Sequence, residues 1–396
     1  MDITITPACL SGTIAAIPSK SQAHRLLICA AFADRPTALR CPQTNRDIEA
    51  TVDCLNALGA SITRTEDGYS VQPVSAVPQT ATLNCSESGS TLRFMLPIAG
   101  ALGVDTTFCL AGRLPQRPLS PLWEEMERMG CTLTRPTADT IRCTGQLCPG
   151  EYSISGSVSS QFITGLLYAL SLLGEKSHLR VTGKIESLPY IEMTISALNT
   201  FGVQVPEENQ CYCIQPQTFR SPGNLAVEGD WSNAAFWYAA KALGCGLEIT
   251  GMNPASAQGD RAVVTALAAL EEAAVIDAAQ TPDLVPILAV VAGAKKGATF
   301  INAARLRLKE TDRLATTAAL INNLGGKAEI QGDCLTVFGT GYRGGTVDAT
   351  GDHRIAMAAA IAVTVCSEPV TVVGAESVEK SYPAFWADYQ KLGGIL

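Results

Sequence analysis

Along this chain, apolar positions spaced three and four apart repeatedly give way to a glycine or small residue and then to a short β-branched run. The copies read CLNALGASIT around Gly59, EEMERMGCTLT around Gly130, SALNTFGVQV around Gly202, ALEEAAVID near Ala273, INNLGGKAEI around Gly325 and YQKLGGIL around Gly393. The first spacing marks one face of a helix, the glycine supplies a left-handed cap, and β-branched residues favour extended chain. Each copy therefore predicts a helix, a stop and a strand. Successive copies lie 71, 72, about 71, about 52 and 68 residues apart. Such a period is too long for a solenoid and fits about six small α/β modules, three to a domain.

A second kind of run has no polar face and opens on small polar residues. Pro18-Ser19-Lys20-Ser21 leads into Leu26, Leu27, Ile28 and Ala31; Ser88-Gly89-Ser90-Thr91 leads into Phe94, Met95 and Leu96; Ser159-Ser160-Gln161 leads into Phe162, Leu166 and Leu167. Asp230-Trp231-Ser232-Asn233 precedes Ala234 to Ala240, and Asp352-His353-Arg354 precedes Ile355 to Ala362. Ordinary N-capping explains any one of these alone. Helix N-termini also present unpaired N–H groups and the positive end of the dipole, so several gathered together would bind anions.

With 396 residues, 47% of them hydrophobic and 17% charged, the chain is long enough for two globular domains and is not disordered. A net charge of −8 and a pI near 5.1 argue against a nucleic-acid surface, so an anionic ligand needs a local cationic cluster. No apolar run reaches membrane-spanning length, and MDITITPACLSGTIAAIPSK alternates like a strand without the order of a signal peptide. We therefore expect a soluble cytoplasmic protein with no membrane partner. The fourteen cysteines are scattered through apolar runs and read as reduced, buried thiols. His24, His178 and His353 lie far apart without zinc-ligand spacing, so no metal is expected.

Lys20 and Arg25 stand at the mouth of one such helix, where Ser21 and Arg25 share a face. Cations there oppose the helix dipole, which a bound anion would offset, although solvated side chains fit too. The segment Arg305-Leu306-Arg307-Leu308-Lys309-Glu310-Thr311-Asp312-Arg313 alternates like a strand edge and then reads as a helix start with acids in its first turn, Lys309 and Arg313 sharing a face. It is either an ion-paired helix or a carboxylate among cations, the setting for an acid or base beside a phosphate. Gly339-Thr340-Gly341-Tyr342-Arg343-Gly344 matches GxGxxG but precedes Gly345-Thr346-Val347-Asp348 instead of a helix, so it predicts a loop between strands.

Nine motifs, in order, resemble the 5-enolpyruvylshikimate-3-phosphate synthase family. They are Ser19 to Arg25, Gly89 to Phe94, Gln116 to Leu119, Ser157 to Phe162, Pro189 to Ile191, Val227 to Asp230, Leu308 to Arg313, Asp352 to Arg354 and Lys380 to Pro383. The resemblance implies an α/β fold of two similar domains, each of three βαβαββ-type repeats, with the active site in the interdomain cleft. It implies an inserted domain at 19–228, a discontinuous domain at 1–18 plus 229–396, and crossovers near 18–20 and 226–229. The implied reaction moves the enolpyruvyl group of phosphoenolpyruvate to the 5-hydroxyl of shikimate 3-phosphate, with no cofactor, in a monomer.

Carried over position by position, the resemblance gives Lys20, Ser21, Arg25, Ser159, Ser160, Gln161, Ser187, Tyr190, Asp283 and Lys309 to shikimate 3-phosphate. It gives Lys20, Gly89, Arg117, Gln161, Arg313, Arg354 and Lys380 to phosphoenolpyruvate. Lys20, Asp283 and Glu310 are the implied catalytic groups. Glu87, Leu188 and Arg305 depart from the family's usual residues, and a carboxylate at Glu87 would weaken anion binding unless it points away or is paired. The glycine at Gly89 implies sensitivity to glyphosate. The rival readings are a transferase acting on UDP-N-acetylglucosamine, which the Ser-Ser-Gln-Phe and Lys-Glu-Thr-Asp-Arg runs fit poorly, and a silent sugar-phosphate sensor.

Overall fold

A computed structural model describes every residue from Met1 to Leu396. The chain divides into two compact units, one formed by Lys20–Val227 and the other by Met1–Ser19 together with Glu228–Leu396.

In Lys20–Val227 the helices are α1 (Lys20–Ala31), α2 (Arg46–Ala57), α3 (Gly89–Leu102), α4 (Leu122–Arg128), α5 (Ser160–Leu172) and α6 (Leu188–Thr200). They alternate with three four-stranded sheets. The strand orders are Asn224–Ala226, Thr37–Arg40, Gly68–Gln72, Ser61–Arg64; Thr80–Ser86, Asp105–Leu110, Thr140–Gly145, Cys131–Thr137; and Glu151–Ser155, Ser177–Thr182, Cys211–Ile214, Glu207–Glu208. In each, the first two strands run parallel and the remaining pairings are antiparallel. Parallel neighbours need a crossover, which α3 and α5 supply, and a hairpin completes each sheet. The apolar runs become α1, α3 and α5, buried along nearly their whole length as helices with no polar face must be. α3 and α5 pack closely at Gly165, where an added Cβ would lie 2.2 Å from the Arg93 carbonyl oxygen.

The other unit carries α7 (Trp231–Ala242), α8 (Val263–Ala269), α9 (Val285–Ala294), α10 (Arg313–Asn323), α11 (His353–Ala362) and α12 (Phe385–Lys391). One sheet, Ala274–Asp277, Ala298–Ile301, Cys334–Phe338, Lys327–Gln331, repeats the pattern. A second orders Asp2–Ile5, Val370–Val373, Gly345–Asp348, and Ser11–Ala15 pairs parallel with Gly246–Thr250. After α8 there is no hairpin: Ala274–Asp277 pairs parallel with Ala298–Ile301 and opens the next sheet. The missing hairpin accounts for the one spacing of about 52 residues. At the crossovers the Ser19 N–H donates to the Glu228 carbonyl at 2.8 Å, beside a bridge between Pro18 and Gly229.

Two local expectations change. Val203 to Val205, read as a strand, is irregular, because the Val203 N–H turns back to the Leu198 carbonyl and Pro206, which follows, has no N–H to give a ladder. Arg305 to Asp312 forms neither a strand edge nor the first turn of a helix. Ala304–Leu308 forms a 3-10 turn, and α10 begins only at Arg313 because the Asp312 side chain caps the Ala315 N–H. The glycine pattern at Gly339 is a loop between Cys334–Phe338 and Gly345–Asp348. Eight of the fourteen thiols are buried. No helix is long and apolar enough to cross a membrane.

Candidate active site

On the Lys20–Val227 unit, three helix N-termini carry the polar residues. Ser88 caps α3 by accepting from the Thr91 N–H, and Ser159 caps α5 by accepting from the Gln161 N–H. The Gln161 amide joins them, donating to Ser90 Oγ at 2.9 Å and accepting from Arg93 Nη1 at 2.8 Å. An ideal Cβ on Gly89 would sit 2.5 Å from Arg117 Nη1 and 2.9 Å from Arg93 Nη1, so two guanidinium groups crowd the start of α3. The buried Arg117 Nε has no partner. Cations packed at the positive end of a helix oppose its dipole, which a bound anion would offset. Glu87 is exposed and its carboxyl lies against Gly112.

At the start of α1, Lys20 Nζ pairs with Asp47 at 2.9 Å. Arg25 is buried, donating to Thr194 Oγ1 at 2.9 Å, the Ser21 carbonyl at 2.7 Å and the Tyr190 carbonyl at 2.8 Å. No carboxylate appears among those partners, and burial lowers the pKa of Arg25. Ser160 is buried in the first turn of α5. Ser187 precedes α6 with a φ of 56°, the left-handed region that serine rarely occupies, and its carbonyl accepts from the Tyr190 N–H.

The other unit gathers charge around Arg313, which is wholly buried at the start of α10. Its guanidinium donates to Asp352 at 2.9 Å, to Asp283 at 2.8 Å and to Glu310. Asp283, in the 3-10 turn Pro282–Leu284, also faces Lys309 at 3.1 Å and Arg354 at 3.4 Å. Burial alone would raise the Asp283 pKa, but Arg354, Lys309 and Arg313 outweigh it and hold the carboxyl well below the usual range. Burial pulls the Lys309 ammonium down, with Asp283 opposing. Lys380 ends the 3-10 helix Ala375–Lys380, which packs on α11; the next residue, Ser381, donates to Asn233 Oδ1 in α7 at 3.5 Å.

The family model for EPSP synthase (3-phosphoshikimate 1-carboxyvinyltransferase) matches residues 5–277 and 268–389. The chain belongs to the EPSP synthase family. A 3-phosphoshikimate 1-carboxyvinyltransferase from Clostridium kluyveri is 37% identical over 100% of this chain and 98% of its own length. One from Clostridium acetobutylicum is 37% identical over 99% and 97%. Among solved structures, EPSP synthase from Acinetobacter baumannii superposes with a TM-score of 0.80 at 21% identity, covering 99% of this chain and 98% of that one. The enolpyruvyl transferase NikO from Streptomyces tendae gives 0.75 at 18%, covering 100% and 97%. The α/β fold of two similar domains built from βαβαββ repeats is thus that of enolpyruvyl transferases. As a member of the EPSP synthase family, the chain is a transferase of the shikimate pathway acting on small molecules.

Within this EPSP synthase scaffold, five residues singled out from sequence, Asp283, Lys309, Glu310, Arg313 and Arg354, meet in one cluster. Gly89, Arg117 and Gln161 meet in another, and Lys20, Ser21, Arg25 and Tyr190 cluster around the start of α1. Asp47, Ser90, Arg93, Thr194 and Asp352 hold these groups in place, although none of them is among the site residues that the resemblance gives. For Arg93 there was a signal: a charge inside the apolar run of α3 must be buried and therefore partnered.

Proposed function

We propose that these residues divide the work of enolpyruvyl transfer as follows. Ser159, Ser160, Gln161, Ser187 and Tyr190, with Lys20, Ser21 and Arg25, receive shikimate 3-phosphate. Gly89, Arg117, Gln161, Lys20, Arg313, Arg354 and Lys380 hold the phosphate and carboxylate of phosphoenolpyruvate, the arginines in fork geometry. Asp283, supported by Lys309, takes the 5-hydroxyl proton, while Glu310 gives a proton to the methylene carbon so that C2 becomes electrophilic. The 5-oxygen then bonds to C2. In the second step the new methyl group returns a proton to Glu310 as the C–O bond to phosphate breaks, with Lys20 protonating the departing oxygen.

The observation that carries this reading is the carboxylate Asp283 held among three cations with Glu310 on the same arginine. So held, Asp283 is ionised but weakly basic. Incoming anions draw Arg313 and Arg354 toward themselves, and its basicity rises as substrates arrive. The enzyme acts as a cytoplasmic monomer. Phosphate release from phosphoenolpyruvate, measured with shikimate 3-phosphate and separately with UDP-N-acetylglucosamine, tests the reading. Turnover with the first acceptor alone is expected; turnover with neither, or only with the second, overturns it.

A further inference from the structure

We propose that a polarised hydrogen-bond chain from His24 through Thr51 and Thr91 to Ser88 sets the register of α1, α2 and α3, and that Thr91 is thereby a positioning residue for phosphoenolpyruvate. The proposal rests on the assignment of Lys20 and Gly89 to that substrate and reaches one turn behind them. Lys20 and Asp47 form an outer rung between α1 and α2 at 2.9 Å. One turn deeper on each helix, His24 Nδ1 lies 2.8 Å from Thr51 Oγ1. Thr51 Oγ1 lies 2.7 Å from Thr91 Oγ1 in α3. Ser88 Oγ, the cap of α3, accepts from the Thr91 hydroxyl at 2.7 Å and from the Thr91 N–H at 3.2 Å. All four side chains are buried, none more than 1% exposed.

Counting protons fixes the direction of the chain, because each hydroxyl has one to give. Thr91 spends its proton on Ser88, with only a longer approach of 3.4 Å to the Asp47 carbonyl. Thr51 must then donate to Thr91, and the proton between Thr51 and the imidazole comes from His24 Nδ1. Burial, against the charge of Asp47, holds His24 down at about 3, so the ring is neutral and carries a single proton. His24 Nε2 is buried without a partner, so no second bond competes for that proton. The addition and elimination steps use none of these four groups, yet buried polar groups are costly unless their bonds close. Here they close on Asp47, which holds Lys20, and on Ser88, which precedes Gly89. Thr91 is the joint, since its hydroxyl meets Thr51, Ser88 and the Asp47 carbonyl. Without it the start of α3 shifts against α2 and carries Gly89 out of place.

The test joins a spectrum to a KM. Nitrogen-15 NMR of the three imidazoles, with His24→Asn identifying the signal, reads the tautomer of His24. Wild type should carry the proton on Nδ1 alone. Thr91→Val keeps the side-chain shape and removes the hydroxyl, which frees the Thr51 proton to turn toward Nδ1, so the Nε2–H form should appear. A wild-type ring protonated at Nε2, or an unchanged tautomer in Thr91→Val, overturns the chain. At saturating shikimate 3-phosphate, Thr91→Val should raise the KM for phosphoenolpyruvate about tenfold with kcat changed less, well inside the roughly 10²-fold that a 1 Å misplacement can cost. Thr91→Ser, which keeps the hydroxyl, should bring that KM back to within about twofold of wild type. A lowered Tm with an unaltered KM in Thr91→Val marks a merely structural link and overturns the proposal, as does a KM that Thr91→Ser leaves raised. If Thr91→Val does not fold, Thr51→Val cuts the same chain, and an unaltered KM there overturns the proposal. Arg117→Lys separates the two assignments. An unaltered KM there defeats the placement of the anion at α3, whereas a raised KM there beside an unaltered one in Thr91→Val defeats only the role of Thr91.

Discussion

Gly89→Ala isolates one contact. The new methyl would lie 2.5 Å from Arg117 Nη1 and 3.0 Å from its Cζ. Ordinary carbon contacts begin at about 3.5 Å, so the Arg117 guanidinium must retreat by about 1 Å. Arg93, the other neighbour at 2.9 Å, is held by Gln161 and by the Pro118 carbonyl and cannot yield as readily. Because Arg117 moves only at the end of a flexible chain, and alanine suits a helix better than glycine by up to about 1 kcal/mol, folding stability should barely change. Substrate binding should change. A hydrogen bond to a charged group contributes about 1.5–3 kcal/mol, so displacing it should raise the KM for phosphoenolpyruvate about 10- to 100-fold. Phosphate release against phosphoenolpyruvate concentration, at saturating shikimate 3-phosphate, gives the KM, and thermal unfolding gives the stability. A KM within about twofold of wild type, beside an unchanged Tm, would refute the placement of the anion at the start of α3.

Glu310→Gln should cut turnover by about 10²- to 10⁴-fold, the span for lost proton transfer, while calorimetric binding of shikimate 3-phosphate persists; full activity removes Glu310 from the mechanism. Arg25→Ala should weaken that binding and also lower stability by about 3 kcal/mol, since it strips buried charged hydrogen bonds between α1 and α6, readable by urea unfolding. Burial pushes His24 down to about 3. The unfolded chain therefore binds the extra proton below its ordinary value near 6.5, and stability falls as pH drops from there toward 3 by up to about 1.4 kcal/mol per unit. His24→Asn should flatten that slope in urea titrations, and an unchanged slope would show that other groups cause it. Glyphosate should inhibit wild-type phosphate release in competition with phosphoenolpyruvate, and millimolar tolerance would contradict the reading of Gly89.

The alternation of periods exposed the modules because cap glycines and buried crossovers leave different marks on a sequence. Ser88, Ser159, Asp230 and Asp352 could be read as caps since capping depends only on the next two or three residues. Arg305 to Arg313 misled because its alternation arises from a 3-10 turn, where Leu306 alone is buried, and a single buried residue cannot declare a period. Asp352 was visible only as a cap, because its second task, holding Arg313 across 39 residues, is set by tertiary packing. The missing hairpin after α8 showed itself as a shortened interval, although the parallel pairing that replaces it lies beyond any local pattern.

The parallel pair Ser11–Ala15 and Gly246–Thr250 has a consequence for synthesis on the ribosome. The first strand emerges early and must wait until residue 250 is made before its partner exists. Lys20–Val227 is continuous, so all the strands and helices of its sheets are available while that wait lasts. The waiting segment is short and carries few apolar side chains, which limits what it offers to aggregation in the interval.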